Sequence, residues 1–229
     1  MLKRNRLLDK FPGMIISIPR TVVLATDVFD EFMSENKLYK IALQDLDDSE
    51  ILKHFVNARL PMRIHEDLYA FINVVNNPIA IRSSSLLEDS YYQPFAGVYS
   101  TYMIANNIDN PRLVIEQLSE AIKSVYASVF YKGSKRYMQA TSNVIDEEKM
   151  GIVLQEVCGN KYGKLYYPEI SGVARSLNFY PLSGEKVEDG IVNIAVGLGK
   201  YIVDGGVALR FSPRNPKKIL QLSTAEMAL

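Results

Sequence analysis

Hydrophobic positions along this 229-residue chain recur with two different periods. The run MIISIPRTVVLAT, residues 14–26, is dense in β-branched residues and broken by Pro19, which predicts one or two short strands. Asp27 is placed to cap a helix with Val28, Phe29 and Phe32 on its apolar face, ending near Asn36. Ile51, Leu52, Phe55 and Val56 recur at helical spacing over residues 49–58. Ile64, Leu68, Phe71, Ile72 and Val75 do so over 63–75, until Asn76, Asn77 and Pro78 stop the helix. PIAI (78–81) then predicts a short buried strand, RSSSLLEDSYYQ a polar loop, and FAGVYSTYMI a further strand. Asn110 and Pro111 open the longest helix, with Leu113, Val114, Leu118, Ile122, Val125 and Val129 as its stripe. It resumes after Gly133. Segments 150–157, 165–167, 172–178 and 191–196 return to strand patterns, so the last third reads as mostly sheet.

These elements predict a mixed α/β (α+β) fold in two parts, a helix-rich 1–141 and a strand-rich 142–229. The border falls at the polar run TSNVIDEE. The first residues, with Leu2, Leu7, Leu8 and Phe11, resemble the back end of an amphipathic helix.

Charge and cysteine usage narrow the function classes. Lys plus Arg and Asp plus Glu are 26 each, so no bulk excess draws the chain to nucleic acid or to an anionic membrane. No stretch reaches the roughly 18 apolar residues of a spanning helix, and the basic N-terminus has no signal-peptide core. With Cys158 as the single cysteine, a disulfide scaffold is excluded and a cytoplasmic location is expected. His54 and His65 are too few for a histidine-rich metal site, and no metal ligands are assigned.

Common catalytic signatures are absent. Gly197 to Lys200, followed by Tyr201, fails the spacing of a phosphate-binding loop, and Ser83 to Ser85 lack the glycines of a nucleophile elbow. Arg82, expected just beyond the PIAI strand, has a planar fork suited to phosphate oxygens, with the serines behind it and Glu88 and Asp89 able to orient it. A solvated polar loop is the plainer alternative.

The order Arg82-Ser83-Ser84, Glu88-Asp89, Phe95-Ala96-Gly97 and Thr101 closely resembles the N-terminal nucleotide-binding domain of the phosphoenolpyruvate synthase and pyruvate phosphate dikinase family. Pro94 replaces that family's serine. Tyr126 to Phe130 with Arg136-Tyr137, the strand around Gln155, Ser171-Gly172-Val173, and Gly197-Leu198-Gly199 with Val203 and Gly205 extend the resemblance over nearly the whole chain.

The resemblance implies an ATP-grasp fold that binds ATP and Mg2+. In it Arg82 would contact the phosphates as the catalytic residue, Gly97 and Thr101 would approach the nucleotide, and Gln155 would lie near the adenine beside hinge backbone at Glu156 and Val157. It further implies one part of a longer phosphotransferase, incomplete at both ends. The family's lysine-bearing glycine loop, its Leu-Gln-x-Arg-Pro strand and its Thr-Ser-His segment have no counterpart between Met1 and Leu229, and Lys200 stands where the family usually has glutamate. Phosphohistidine and pyruvate-binding domains of the same longer chain would be the partners. A non-catalytic ATP-grasp-like regulatory or scaffold module is the alternative.

Overall fold

The computed structural model describes residues 6–86, 88, 99–106, 109–140, 148–199, 202 and 208–219. The chain forms two compact units, divided between Val157 and Cys158.

In the first unit a four-stranded sheet has the order β1-β4-β2-β3, with β1 at Thr21–Leu24, β2 at Ile79–Ser85, β3 at Tyr102–Ile104 and β4 at Met150–Glu156. All pairings are antiparallel, and β4 lies between β1 and β2. The same unit holds α1 (Leu7–Lys10), α2 (Thr26–Glu35), α3 (Tyr39–Ala42), α4 (Asp48–Asn57), α5 (Met62–Val74), α6 (Pro111–Ser128) and α7 (Lys132–Ala140). The unit boundary therefore follows β4, because that strand belongs to the first sheet. The second unit holds a hairpin of β5 (Asn160–Tyr162) and β6 (Leu165–Tyr167). Beside it is a sheet β7-β8-β9 from Ile170–Arg175, Ile191–Val196 and Leu209–Phe211. Helices with antiparallel sheets make this an α+β fold.

Helix ends follow local chemistry. Asp27 is not the cap of α2: Ala25 occupies that position and Asp27 lies in the first turn, where its charge suits the helix dipole. At α4 the cap is Asp47, whose backbone N–H donates to Glu50 Oε2 at 3.3 Å. Asn110 caps α6 by accepting from the Leu113 N–H at 3.2 Å, and Pro111 supplies the first helical position.

The larger difference from expectation concerns β2. PIAI does not end at Ile81 but continues as strand through Arg82, Ser83 and Ser84 to Ser85, because β4 pairs with it over its full length. In the other direction, FAGVYSTYMI yields only Tyr102–Ile104 as strand within the described residues, which exclude its first four positions. The three-residue strands β5 and β9 carry no alternation long enough to predict.

Alternation along β2 and β4 sends Ile79, Ile81, Ile152 and Leu154 to a face packed against α2 and α6, where all four are fully buried. Behind them an aromatic cluster joins the helices. Phe29 meets Tyr126 edge-on at 5.1 Å between centroids, Phe32 lies 5.9 Å from Phe55, and Phe55 lies 5.7 Å from Phe130. The Tyr126 hydroxyl is buried in this cluster without a hydrogen-bond partner among the described residues. Replacing Tyr126 by Phe removes an unpaired polar group while keeping the ring, so Tyr126→Phe should raise the unfolding free energy by about 1 kcal/mol. Phe55→Ala leaves a cavity and should lower it by about 3–5 kcal/mol. Urea titrations of both variants measure these signs.

Candidate functional site

The face of the sheet turned away from α2 and α6 is built by register. Gln155 on β4 stands opposite both Thr21 on β1 and Ala80 on β2, while Val153 stands opposite Val23 and Arg82. Ala80 is also paired with Met103 on the edge strand β3. Opposed residues in an antiparallel pair share a face, so Thr21, Val23, Val153, Gln155, Ala80, Arg82 and Met103 form one surface. It is open: Arg82 is exposed, Val23 is 58% accessible and Met103 is 53% accessible. One register step separates Arg82 from Gln155, a diagonal of about 7–8 Å between Cα positions.

Arg82 sits within regular strand, its backbone paired with Val153 of β4, while the ladder to β3 ends one residue earlier at Ile81. Among the described residues its guanidinium has no ion pair or hydrogen-bond partner. Gln155 is held by Thr21, to whose Oγ1 its Nε2 donates at 3.1 Å. Thr101 is exposed and lies two positions before Met103, on the chain leading into β3. Glu156 falls on the opposite face by alternation. Its Oε1 accepts from Asn77 Nδ2 at 2.8 Å and its N–H donates to the Arg20 carbonyl at 2.9 Å. The Val157 N–H donates to the Pro78 carbonyl at 2.8 Å. Both of these backbone donors are thus committed within the chain. Gly97 and Asp89 lie outside the described residues.

The serines divide between the two faces. Ser84 shares the side of Arg82, whereas Ser83 and Ser85 face inward. Ser83 Oγ donates to Glu88 Oε1 at 2.8 Å, and the Glu88 N–H donates to Ser85 Oγ at 3.4 Å. Nearby, the hydroxyl of Tyr99 donates to Glu148 Oε1 at 3.3 Å, with both residues buried. Nothing in the local sequence announces this inward polar cluster. Glu148 sits in TSNVIDEE, which reads as a solvated border, and only its packing beneath the end of β2 reveals it.

In the second unit two motifs meet. Ser171 Oγ donates to the Gly197 carbonyl at 2.6 Å, and Gly197 has φ +80°, a conformation suited to glycine. A Cβ on Gly172 would lie 2.8 Å from the Asn193 carbonyl oxygen, so β7 and β8 approach closely only because that position is bare.

Among the described residues no group of three His, Cys, Asp or Glu side chains could hold a metal ion, and no helix is long and apolar enough to cross a membrane. His54 is exposed on α4 and His65 is half-buried on α5.

The chain belongs to the family of the pyruvate phosphate dikinase AMP/ATP-binding domain, whose profile matches residues 4–218. Its relatives include an uncharacterized phosphotransferase of Bacillus subtilis, 27% identical over 192 residues, covering 84% of this chain and 21% of the relative. A phosphoenolpyruvate synthase of Aeropyrum pernix is 28% identical over 144 residues, covering 62% of this chain and 15% of the relative. The chain therefore spans about a fifth or less of the length of these curated relatives.

The Tyr99 hydroxyl is held well above the usual phenol range, first by burial and then by the neighbouring Glu148 carboxylate. Burial shifts Tyr131 the same way, to about 12. A phenol with a raised folded pKa favours folding fully below its unfolded value near pH 10, and that contribution is lost as pH rises toward the folded value. Stability should fall between about pH 10 and 12, and less steeply in Tyr99→Phe, as read by urea midpoints across that range. Identical slopes in the two proteins would remove Tyr99 from the account.

Proposed function

We propose that the open face of the first sheet binds the phosphates of ATP at Arg82, and that the chain is the nucleotide-binding part of a longer ATP-dependent phosphotransferase. Family membership supports nucleotide binding, and the single observation that carries the location is Arg82, exposed in the middle of a regular strand and without a partner among the described residues. A guanidinium in that setting offers a rigid, two-pronged donor set to phosphate oxygens, and no carboxylate among the described residues has to be displaced first. Thr101 adds a hydroxyl at the edge of the same surface, and Gln155 offers an amide one register step away. Gly97 belongs to this proposal through its motif alone, with Glu156 and Val157 as the chain segment leading out of β4.

In this reading the fold is ATP-grasp-like, and the phosphoryl group passes from ATP to a carrier histidine in another domain and on to pyruvate. The phosphoenolpyruvate synthase among the relatives supports that acceptor. Magnesium is expected with the nucleotide. The described carboxylates do not gather into a set that fits it, so no role is assigned to them in holding the ion. A cytoplasmic setting accords with the exposed free thiol of Cys158.

Calorimetry with Mg-ATP tests the location. Arg82→Ala should weaken binding by about 1.5–3 kcal/mol, the scale of a hydrogen bond to a charged group. Its thermal midpoint should hardly move, since an exposed side chain on the sheet surface contributes little to folding. Equal affinity in the two proteins would remove the phosphates from this face.

A further inference from the structure

The amide of Gln155 is joined to Pro19 through Thr21 by two hydrogen bonds. Gln155 Nε2 donates to Thr21 Oγ1 at 3.1 Å, and Thr21 Oγ1 donates to the Pro19 carbonyl at 3.0 Å. Chemistry sets the direction of this relay. A carbonyl oxygen only accepts, and a threonine hydroxyl has one proton. With that proton committed to Pro19, Thr21 can meet the amide only as an acceptor, so Gln155 must turn its NH2 group toward Thr21. The other end of the amide, Oε1, is then directed away from Thr21. Among the described residues it has no hydrogen-bond partner.

We propose that Thr21 is a specificity-determining positioning residue. By holding the NH2 group of Gln155, it leaves only an acceptor, Oε1, for a ligand on the open face. The site then selects a hydrogen-bond donor, the exocyclic amine of adenine, over the carbonyl oxygen that guanine and hypoxanthine carry at the same ring position. The inference rests on the reading that the nucleotide lies on this face with its phosphates at Arg82. An acceptor facing an acceptor leaves both unpaired after desolvation, which is the penalty that rejects the wrong base. A glutamine free to turn about its last bond imposes no such penalty, because its two ends exchange donor for acceptor. The selectivity therefore resides in Thr21 as much as in Gln155. A ribose hydroxyl is the other donor that a nucleotide carries, and a deoxynucleotide separates it from the base.

The test measures dissociation constants of ATP, ITP and 2′-deoxyATP on the chain and on Thr21→Val, Thr21→Ser and Arg82→Ala. Valine is well tolerated on an exposed position of an edge strand, so Thr21→Val should fold. The chain should prefer ATP to ITP by about tenfold. Thr21→Ser should keep that preference, Thr21→Val should bring it to within about twofold of unity, and 2′-deoxyATP should bind like ATP. A preference unchanged in Thr21→Val, or a loss with 2′-deoxyATP in place of the loss with ITP, overturns the proposal. Arg82→Ala should weaken ATP and ITP alike. If it weakens neither, the underlying placement of the phosphates fails, separately from the role of Thr21. Without any nucleotide, proton exchange of the Gln155 side-chain NH2 should be slowed in the chain and in Thr21→Ser and faster in Thr21→Val. Equal exchange in all three overturns the proposal by itself.

Discussion

Everything on the open face depends on the pairing of β4 with both of its neighbours. Four consecutive positions of β1 and seven of β2 are matched to it in antiparallel register. Because side chains alternate, that single register sends Ile152 and Leu154 into the core and Val153 and Gln155 to the other side. A slip of one residue would exchange the two sets, burying Gln155 and exposing Leu154. The buried isoleucines and leucines thus act on the site from a distance, since the cost of exposing them is what holds Arg82 and Gln155 on one surface.

The inward cluster at the end of β2 bears on the same constraint. A strand with three consecutive serines has weak intrinsic preference for sheet and little apolar surface to bury. Ser83 and Ser85 would leave polar groups in the core unless these were paired. Glu88 and the buried Tyr99–Glu148 pair surround them with acceptors and donors. Each such group is costly to bury alone and acceptable when satisfied, so the cluster makes the polar half of β2 compatible with the register that the apolar half sets. The exposed guanidinium of Arg82 is carried between these two halves.

Helices were legible in the sequence because each buries one stripe. Val28, Phe29 and Phe32, or Ile64, Leu68, Phe71 and Ile72, recur at a spacing that only a helix turns to one side. The family motif likewise singled out Arg82 and Gln155, and β2 and β4 bring them onto one face. Other features were hidden for physical reasons. Arg82 to Ser85 looks like a loop because the serines on the inner side are polar, and what makes them tolerable is their pairing with Glu88 beside the buried Tyr99–Glu148 pair, which the strand's own pattern does not show. Thr21 and Gln155 are 134 positions apart, and neither residue type announces the other. Only the strand order, with β4 beside β1, makes them neighbours. In the second unit β7 and β8 lie in segments with a strand pattern, whereas the three-residue strands are too short to show a period.

The distribution of buried apolar side chains separates the two units in kind. Among the described residues the fully buried aromatic and aliphatic side chains fall in the first unit, while Ile191 is the buried hydrophobic residue of the second. The second unit relies instead on strand ladders and on polar ties, such as Arg210 donating to Asn178 Oδ1 at 3.3 Å and to the Tyr180 carbonyl at 3.1 Å. Hydrogen bonds exchanged with water contribute little net stability each, whereas buried apolar area is the main favourable term. Local opening should therefore be easier in the second unit than in the first. The residues assigned to the nucleotide stand on the part of the chain with the larger core. A ligand that meets Arg82 and Gln155 already fixed by their strands has little ordering left to do, and what it gains from those contacts appears as affinity and selectivity rather than being spent on organising the site.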